Sequence, residues 1–162
     1  MEISILFQDA LFAAIAAIGF ASISNPPRRA FLYCAITSAV GHSARYLMLN
    51  NELMPFHIIL ASSLAGFIVG LLAVCFAPIA KCPAETCLFP ALLPMIPGVY
   101  AYKCVGALLL YLYHGTDPDM FSHYFYLFTF NGLTCLFIVL GMVLGANIPI
   151  FLFKRISFQA TR

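Results

Sequence analysis

The segment that most constrains the fold is an apolar run from Cys87 to Tyr113, which is long enough to cross a bilayer but is interrupted near its middle. Pro94 and Pro97 lack a backbone N–H, and Gly98 weakens a helix further. A helix broken at membrane depth frees backbone carbonyls and amides that lipid cannot satisfy, so the break must pack against protein or line a wet cavity. The run therefore predicts a discontinuous membrane helix, which is a pattern typical of transport sites.

The composition supports a membrane location for the whole chain. Of its 162 residues, 63% are hydrophobic and only 9% are charged, whereas soluble domains carry about 25% charged residues. The net charge of +2 gives no case for nucleic-acid binding. No metal site is expected, because Cys82 and Cys87 have no histidine nearby, and the six cysteines are interpreted as unpaired. No cofactor is predicted, and the chain lacks a phosphate-binding loop for ATP.

Apolar segments of about 20 residues predict an all-α protein with about five transmembrane helices in one domain. The fourth of these is the run broken at Pro94–Gly98. The remainder, residues 146–162, mixes phenylalanines with basic residues and predicts a cytoplasmic tail at the membrane interface. The predicted spans cover residues 3–23, 31–49, 56–77, 87–113 and 121–145.

The distribution of charge orients these helices. One side of the predicted topology holds all the lysines and arginines of the connections and tail, and the other side holds acidic residues without Lys or Arg. The positive-inside rule then places the N-terminus outside and the C-terminus in the cytoplasm. The basic side contains Arg28, Arg29, Lys81, Lys154, Arg155 and Arg162, and the opposite side contains Glu2, Glu52, Asp117 and Asp119.

Lys103 follows the break and has apolar residues on both sides. It precedes His114 by eleven residues, which places it ~16 Å from the outer end of a continuous helix and near the midplane of a ~30 Å hydrocarbon core. No acidic residue of the chain is predicted at that depth. Lys103 is therefore predicted to meet an anionic substrate or a carboxylate of another subunit, with a structural role as the alternative.

Other polar residues of the predicted spans have two interpretations each. His42 and Arg45 share a helix face at (i, i+3) spacing, and His42 is either a helix–helix hydrogen bonder or a proton carrier. Asp9 and Arg45 both lie about 10 Å from the outer surface, where they either pair or extend separately to the interface. Asn131 matches the depth of Lys103 and either binds the same ligand or makes an interhelical hydrogen bond.

Two stripes of small residues, Gly66-x-x-x-Gly70 and Gly141-x-x-x-Gly145, predict close helix packing. The pattern leaves open whether these helices pack within one chain or against another subunit, which includes a second copy of this chain.

Three motifs together resemble the small membrane subunit of the threonine/serine exporter family in its split, two-component form. They are Asn25-Pro26-Pro27-Arg28-Arg29-Ala30, Gly41-His42-Ser43-Ala44-Arg45 and Pro94-Met95-Ile96-Pro97-Gly98. The resemblance implies a multi-pass protein of the bacterial inner membrane that works with a larger subunit carrying the other half of the exporter. It also implies export of threonine and serine or, as in a similar split bacterial pair, of succinate. The matching positions are Asn25, Pro27, Arg29, Gly41, His42, Arg45, Pro94, Pro97 and Gly98, whereas Lys103 is not part of the family pattern.

The sequence thus predicts a subunit of a secondary exporter of small carboxylates. The break at Pro94–Gly98 would present free backbone groups, while Lys103, Arg45 and His42 would attract the carboxylates. The alternative is a non-catalytic accessory or assembly subunit of a larger transporter. A membrane enzyme is not favoured, because the six acidic residues are scattered along the chain and form no cluster for metal or acid–base chemistry.

Overall fold

The structure is a computed structural model that describes residues 3–51, 55–115 and 117–157. The described residues are helical and contain no strand, so the all-α prediction is confirmed. A 3₁₀ turn at Leu93–Met95 follows the fourth helix. The helices are α1 (Ile3–Ser24), α2 (Ala30–Leu49), α3 (Ile58–Ala80), α4 (Ala84–Leu92), α5 (Gly98–Tyr113), α6 (Pro118–Leu152) and α7 (Lys154–Ser157).

Three described helices are long and apolar enough to cross a membrane, and they cover Ser4–Ser24, Ile58–Ala80 and Pro118–Leu152. Residues Ala84–Met95 and Gly98–Tyr113 pass the same test only as a pair, either as one broken span or as a re-entrant loop. This criterion yields three or four spans where the sequence predicts about five. Helix α2 falls outside it because polar side chains interrupt its apolar sequence, so its role as the second span and the orientation of the chain stay predictions.

The predicted break between Pro94 and Gly98 is confirmed, and its cause is local. The N–H of Gly98 donates to the carbonyl of Ile96 at 2.8 Å rather than to Pro94, four residues back. Pro97 has no N–H to donate, and its own carbonyl accepts the N–H groups of Tyr100 and Ala101, each at 3.1 Å. The carbonyl of Pro94 is consequently left without the helical hydrogen bond that a continuous helix would supply.

The chain forms two compact units, one of Met1–Met95 with Gly141–Arg162 and one of Ile96–Leu140. In the first unit, the side chain of Ser38 on α2 donates to the carbonyl of Ala13 on α1 at 3.1 Å. One turn away, His42 contacts Asp9. These two contacts set an antiparallel register for α1 and α2.

The same register places small residues opposite one another along the rest of the α1–α2 pair. Ala17 comes opposite Cys34 and Ala21 comes opposite Ala30, and all four side chains are fully buried. Small side chains let the helix backbones approach closely, so the hairpin is packed tightly toward its connection.

Glycines bring α3 and α6 together within the first unit. A Cβ atom on Gly66 or Gly70 would overlap backbone atoms of α6, and one on Gly141 or Gly145 would overlap Ser63 of α3. The two stripes of small residues therefore meet each other, which is the intrachain alternative. The α6 atoms nearest to Gly66 and Gly70 are the carbonyl oxygens of Met142 and Ala146.

Helix α6 runs seven residues past the predicted end of the last span at Gly145 and ends at Leu152. At ~1.5 Å per residue its 35 residues measure about 52 Å, which exceeds a hydrocarbon core of ~30 Å. Part of the predicted tail is thus a continuation of the helix. Lys154 begins α7 and lies 5.4 Å from the ring centre of Phe151. Residues 158–162 lie outside the described residues, and the cytoplasmic position of the tail stays a prediction.

In the second unit, α5 packs against the first half of α6. The rings of Tyr111 and Phe121 lie 4.3 Å apart between centroids, and a Cβ on Gly132 would approach the sulfur of Cys104 to 3.1 Å. The backbone N–H of Asp119 donates to the carboxylate of Asp117 at 3.1 Å, which caps the start of α6.

We expect Gly66→Ala and Gly70→Ala each to lower the free energy of unfolding by about 1–3 kcal/mol, because the added methyl meets α6 backbone that cannot rotate away. The measurement is the denaturation midpoint of the purified protein in detergent. Gly19→Ala is the matched control, since a Cβ there has nothing within 4 Å and alanine favours the helix. Equal midpoints for Gly70→Ala and Gly19→Ala would contradict the close α3–α6 contact.

Candidate functional site

The candidate site begins with a polar face on α2. His42 and Arg45 lie three residues apart on this face, and both are partly buried. Gly41 beside them is buried, and a Cβ there would overlap Val69 of α3 and touch the sulfur of Met95 at 3.5 Å. The glycine therefore allows α2 to approach both α3 and the 3₁₀ turn, which brings its polar face to the break. This is a structural role for Gly41.

His42 joins two other elements of the first unit. Its Nδ1 lies 2.8 Å from Oδ2 of Asp9 on α1, and its Nε2 lies 3.2 Å from the carbonyl oxygen of Pro94. The His42 side chain is 13% exposed and that of Asp9 is 33% exposed, so the pair is shielded on the histidine side. The imidazole thus links an acidic residue of one helix to the broken end of another.

Arg45 hydrogen-bonds the second backbone carbonyl at the break, that of Met95. Its Nη1 donates to the carbonyl oxygen of Met95 at 2.8 Å, and its Nη2 lies 3.4 Å from Nε2 of His42. The carbonyls of Pro94 and Met95, whose intrahelical bonds the interruption disturbs, thus lie within hydrogen-bonding distance of His42 and Arg45 of α2. At ~1.5 Å per residue, His42 lies about 18 Å along α2 from Ala30, so the polar cluster lies well inside this helix.

The cluster has the chemistry of an anion site. A guanidinium has five N–H donors, and the described contacts of Arg45 are to a carbonyl and an imidazole rather than to a carboxylate. Arginine binds carboxylates through two parallel hydrogen bonds, and such bonds are strong where water is scarce. Asp9 attracts the guanidinium electrostatically but bonds His42 rather than Arg45, so a carboxylate ligand would supply paired hydrogen bonds that the guanidinium lacks among the described residues.

The remaining predicted site residues belong to the second unit. Pro97 is buried, whereas Gly98 is exposed and has nothing within 4 Å of a Cβ position. Lys103 is exposed on α5 and makes no hydrogen bond or ion pair with the described residues. Asn131 is buried, and its amide donates to the carbonyl of Leu127 in its own helix at 2.7 Å. Within the first unit His42 contacts both Arg45 and Pro94, and the functional roles of all seven predicted site residues stay predictions.

The first motif forms the connection between α1 and α2. Asn25 adopts the left-handed conformation with φ 47°, which asparagine tolerates better than most residues. The carbonyl of Pro27 accepts the N–H of Ala30 at 2.8 Å, and Arg29 is exposed at the start of α2. These residues turn the chain so that α2 returns along α1.

The sequence left open whether Asp9 pairs with Arg45 or extends to the interface, and it did not predict a contact between Asp9 and His42. The structure instead places Asp9 against His42 because of the α1–α2 register. A signal for this exists in the sequence. Polar and small residues recur every four positions as Asp9, Ala13, Ala17 and Ala21 on α1, and in reverse order as His42, Ser38, Cys34 and Ala30 on α2.

Two other features lie apart from the polar cluster. A cavity of about 250 Å³ near the start of α4 is lined by Ser24, Glu85, Thr86, Phe89 and Pro90, none of them a predicted site residue. The six cysteines are free thiols, and burial raises the pKa of Cys82 in the α3–α4 connection, so this thiol stays protonated at neutral pH. The described residues contain no group of three or more side chains able to hold a metal ion.

A comparison with known proteins identifies the family of this chain. A family model described as "Threonine/Serine exporter, ThrE" matches residues 9–152. The chain belongs to the threonine/serine exporter ThrE family. The matched region begins at Asp9 and contains the whole polar cluster. The ThrE family is one of transporters rather than of enzymes, and the expected resemblance to it is confirmed.

A curated relative of this ThrE-family chain is about twice as long. An uncharacterized protein of Haemophilus influenzae is 35% identical over 150 residues, which cover 93% of this chain but 48% of that protein. The chain thus spans about half the length of the curated relative it matches. No solved structure matches the chain.

We expect Arg45→Met to lower the free energy of unfolding by about 1–3 kcal/mol, because the buried carbonyl of Met95 loses its donor. Arg45→Lys should cost less, since an ammonium can still donate. The measurement is again the denaturation midpoint in detergent, and Arg29→Met at the exposed start of α2 is the control for loss of a positive charge. Equal midpoints for Arg45→Met and Arg45→Lys would show that the carbonyl does not depend on this residue.

Proposed function

We propose that this chain is one half of a secondary exporter of the bacterial inner membrane that moves small carboxylates, either threonine and serine or a succinate-like dicarboxylate. Membership of the ThrE family supports an exporter-type transporter. The observation that carries the substrate class is the guanidinium of Arg45, held at a helix break without a carboxylate partner among the described residues. Such a group in a water-poor region favours an anionic ligand.

The two substrate types would use the site differently. A threonine or serine zwitterion would place its carboxylate on Arg45 and its ammonium near Asp9 or the carbonyl of Pro94, which are acceptors already in the cluster. A dicarboxylate has no ammonium and needs a second cation. Lys103 is a candidate cation of the transport pathway in its own right, because it is exposed on an apolar helix and has no partner among the described residues. The proposed substrate is therefore a dicarboxylate if Lys103 takes part in transport, and threonine or serine if it does not.

The rest of the exporter would come from a larger membrane subunit. This proposal rests on the length difference, since the curated relative carries about as many residues again as this chain matches. The exposure of α5 is consistent with a partner, because Ala107 is its one buried residue. The same exposure favours the second candidate function, an accessory subunit that stabilises a larger transporter without contributing to the substrate pathway.

The test is efflux from cells that lack endogenous exporters, with succinate, threonine and serine followed together. The chain is expressed alone, with its larger partner, and as Lys103→Ala or Arg45→Lys with that partner. We expect efflux to require both subunits and to fall about 10–100-fold in Arg45→Lys, because an ammonium does not form the two parallel bonds of a guanidinium. Lys103→Ala should abolish efflux of a dicarboxylate but spare that of an amino acid.

Lys154→Ala is the matched control, because it removes a positive charge from the last helix rather than from the proposed pathway. Each variant is quantified in the membrane so that rates are expressed per assembled complex. Normal rates per complex for Arg45→Lys and Lys103→Ala would support the accessory function instead. A pair of subunits that moves none of the three compounds would rule out this substrate class.

A further inference from the structure

The imidazole nitrogen Nε2 of His42 lies between a donor and an acceptor. Nη2 of Arg45, which can only donate, is 3.4 Å away, and the carbonyl oxygen of Pro94, which can only accept, is 3.2 Å away. A single nitrogen cannot bond both, since it carries either a hydrogen or a lone pair. We propose that His42 is a protonation switch that releases Arg45 for a carboxylate ligand.

Asp9 determines which nitrogen of His42 takes part in the switch. Its Oδ2 lies 2.8 Å from Nδ1, and an ionised carboxylate only accepts hydrogen bonds. Nδ1 must therefore carry a hydrogen whether the ring is neutral or charged, so the proton that comes and goes is the one on Nε2. In the switch itself Asp9 is a positioning residue, because it acts on Nε2 through the tautomer of His42.

In the neutral ring Nε2 has a lone pair. It accepts from Nη2 of Arg45, and one edge of the guanidinium is then engaged. The carbonyl of Pro94 faces a second acceptor at 3.2 Å and gains nothing from the imidazole. Arg45 in this state offers a carboxylate fewer of its donors.

In the protonated ring Nε2 donates to the carbonyl of Pro94, which lacks an intrahelical partner because Gly98 bonds elsewhere. Nη2 of Arg45 then faces an N–H and is repelled, so it is free to bind an anion. The second positive charge also favours a carboxylate at this position. Proton uptake and carboxylate binding should therefore reinforce each other, and by thermodynamic linkage each raises the occupancy of the other.

The charged groups facing His42 from the surrounding elements are few. Helix α1 contributes Asp9 and α2 contributes Arg45, while the 3₁₀ turn of Leu93–Met95 and helix α3 contain no charged residue. On α4, Glu85 lies beside Ser24 at the opposite end of α1 from Asp9. Cys87, the cysteine of α4, is fully buried in the same cluster as Cys34, which lies about two helical turns from His42.

The inference deepens the proposed exporter function by assigning its proton-sensitive group, and its test is separate from transport. The full chain is labelled with ¹⁵N-histidine and reconstituted in lipid nanodiscs, and nitrogen chemical shifts report the proton on each ring nitrogen across the pH range. The signals of His42 are those missing from His42→Gln. Single substitutions of His57, His114 and His123 assign them by elimination if that variant does not fold.

We expect neutral His42 to carry its hydrogen on Nδ1, and Asp9→Asn to move a large part of the population to Nε2. At fixed pH, succinate or threonine should raise the ratio of protonated to neutral His42 by about threefold or more, as positive linkage requires. The ligand effect should vanish in Arg45→Gln. That variant is compared at equal loading of folded protein, with Arg29→Gln as the control.

Two results would overturn the switch. One is a neutral His42 whose hydrogen resides on Nε2 in the wild-type protein. The other is a ligand that binds, as shown by other chemical-shift changes, but leaves the protonation of His42 unaltered. If the tautomer is as expected and neither compound binds, the proposed substrate is wrong while the Asp9-directed tautomer is confirmed.

Discussion

The fold depends on how two backbone carbonyls are satisfied where a helix cannot continue. Pro97 removes an N–H and Gly98 turns its own N–H to Ile96, so the end of the 3₁₀ turn has no helical donors of its own. An unpaired carbonyl in a bilayer costs several kcal/mol. Arg45 removes that cost at Met95, and protonated His42 removes it at Pro94. The break is stable because a neighbouring helix supplies the missing donors.

This arrangement explains why α2 is the least typical of the longer helices. Its polar residues keep it out of the group that passes the hydropathy criterion for a span. Three of them have a partner inside the first unit: Ser38 bonds Ala13, His42 bonds Asp9 and Arg45 bonds Met95. The buried hydroxyl of Thr37, in contrast, makes no hydrogen bond with the described residues. The small residues around the three bonded groups permit the close approach of the helices. Gly41 against Val69 is the clearest case, because any larger residue would hold α2 away.

The small number of polar groups in this cluster also determines how it could bind a ligand. Four hydrogen-bonding contacts join one arginine, one histidine and one aspartate to one another and to two carbonyls, so a ligand or a proton added at His42 must rearrange bonds that already exist. A site of this kind responds to its ligand through competition for donors and acceptors rather than through an empty, preformed pocket. Membership of the ThrE family supplies the context of export, and half of the curated relative's length lies beyond what this chain matches.

The all-helical architecture and the position of the break follow from the sequence, because apolar length and the absence of proline N–H groups are properties of short segments. The turn at Asn25–Pro27 and the packing role of the glycines on α3 and α6 were also accessible from local patterns. The end of α6 could not be predicted from local patterns, because the sequence from Asn147 to Leu152 is as compatible with an interfacial tail as with a longer helix.

What only the tertiary structure decided is which groups meet. His42 is 33 residues from Asp9 and 52 from Pro94, and Arg45 is 50 from Met95. The predicted depths of Asp9 and Arg45 were compatible with an ion pair between them. Asp9 contacts His42 instead because of the register in which α1 packs against α2. Register is set by the sum of many small contacts along both helices, among them Ala17 with Cys34 and Ala21 with Ala30. No single residue encodes it, so the partners of the polar groups emerge only when the helices are packed.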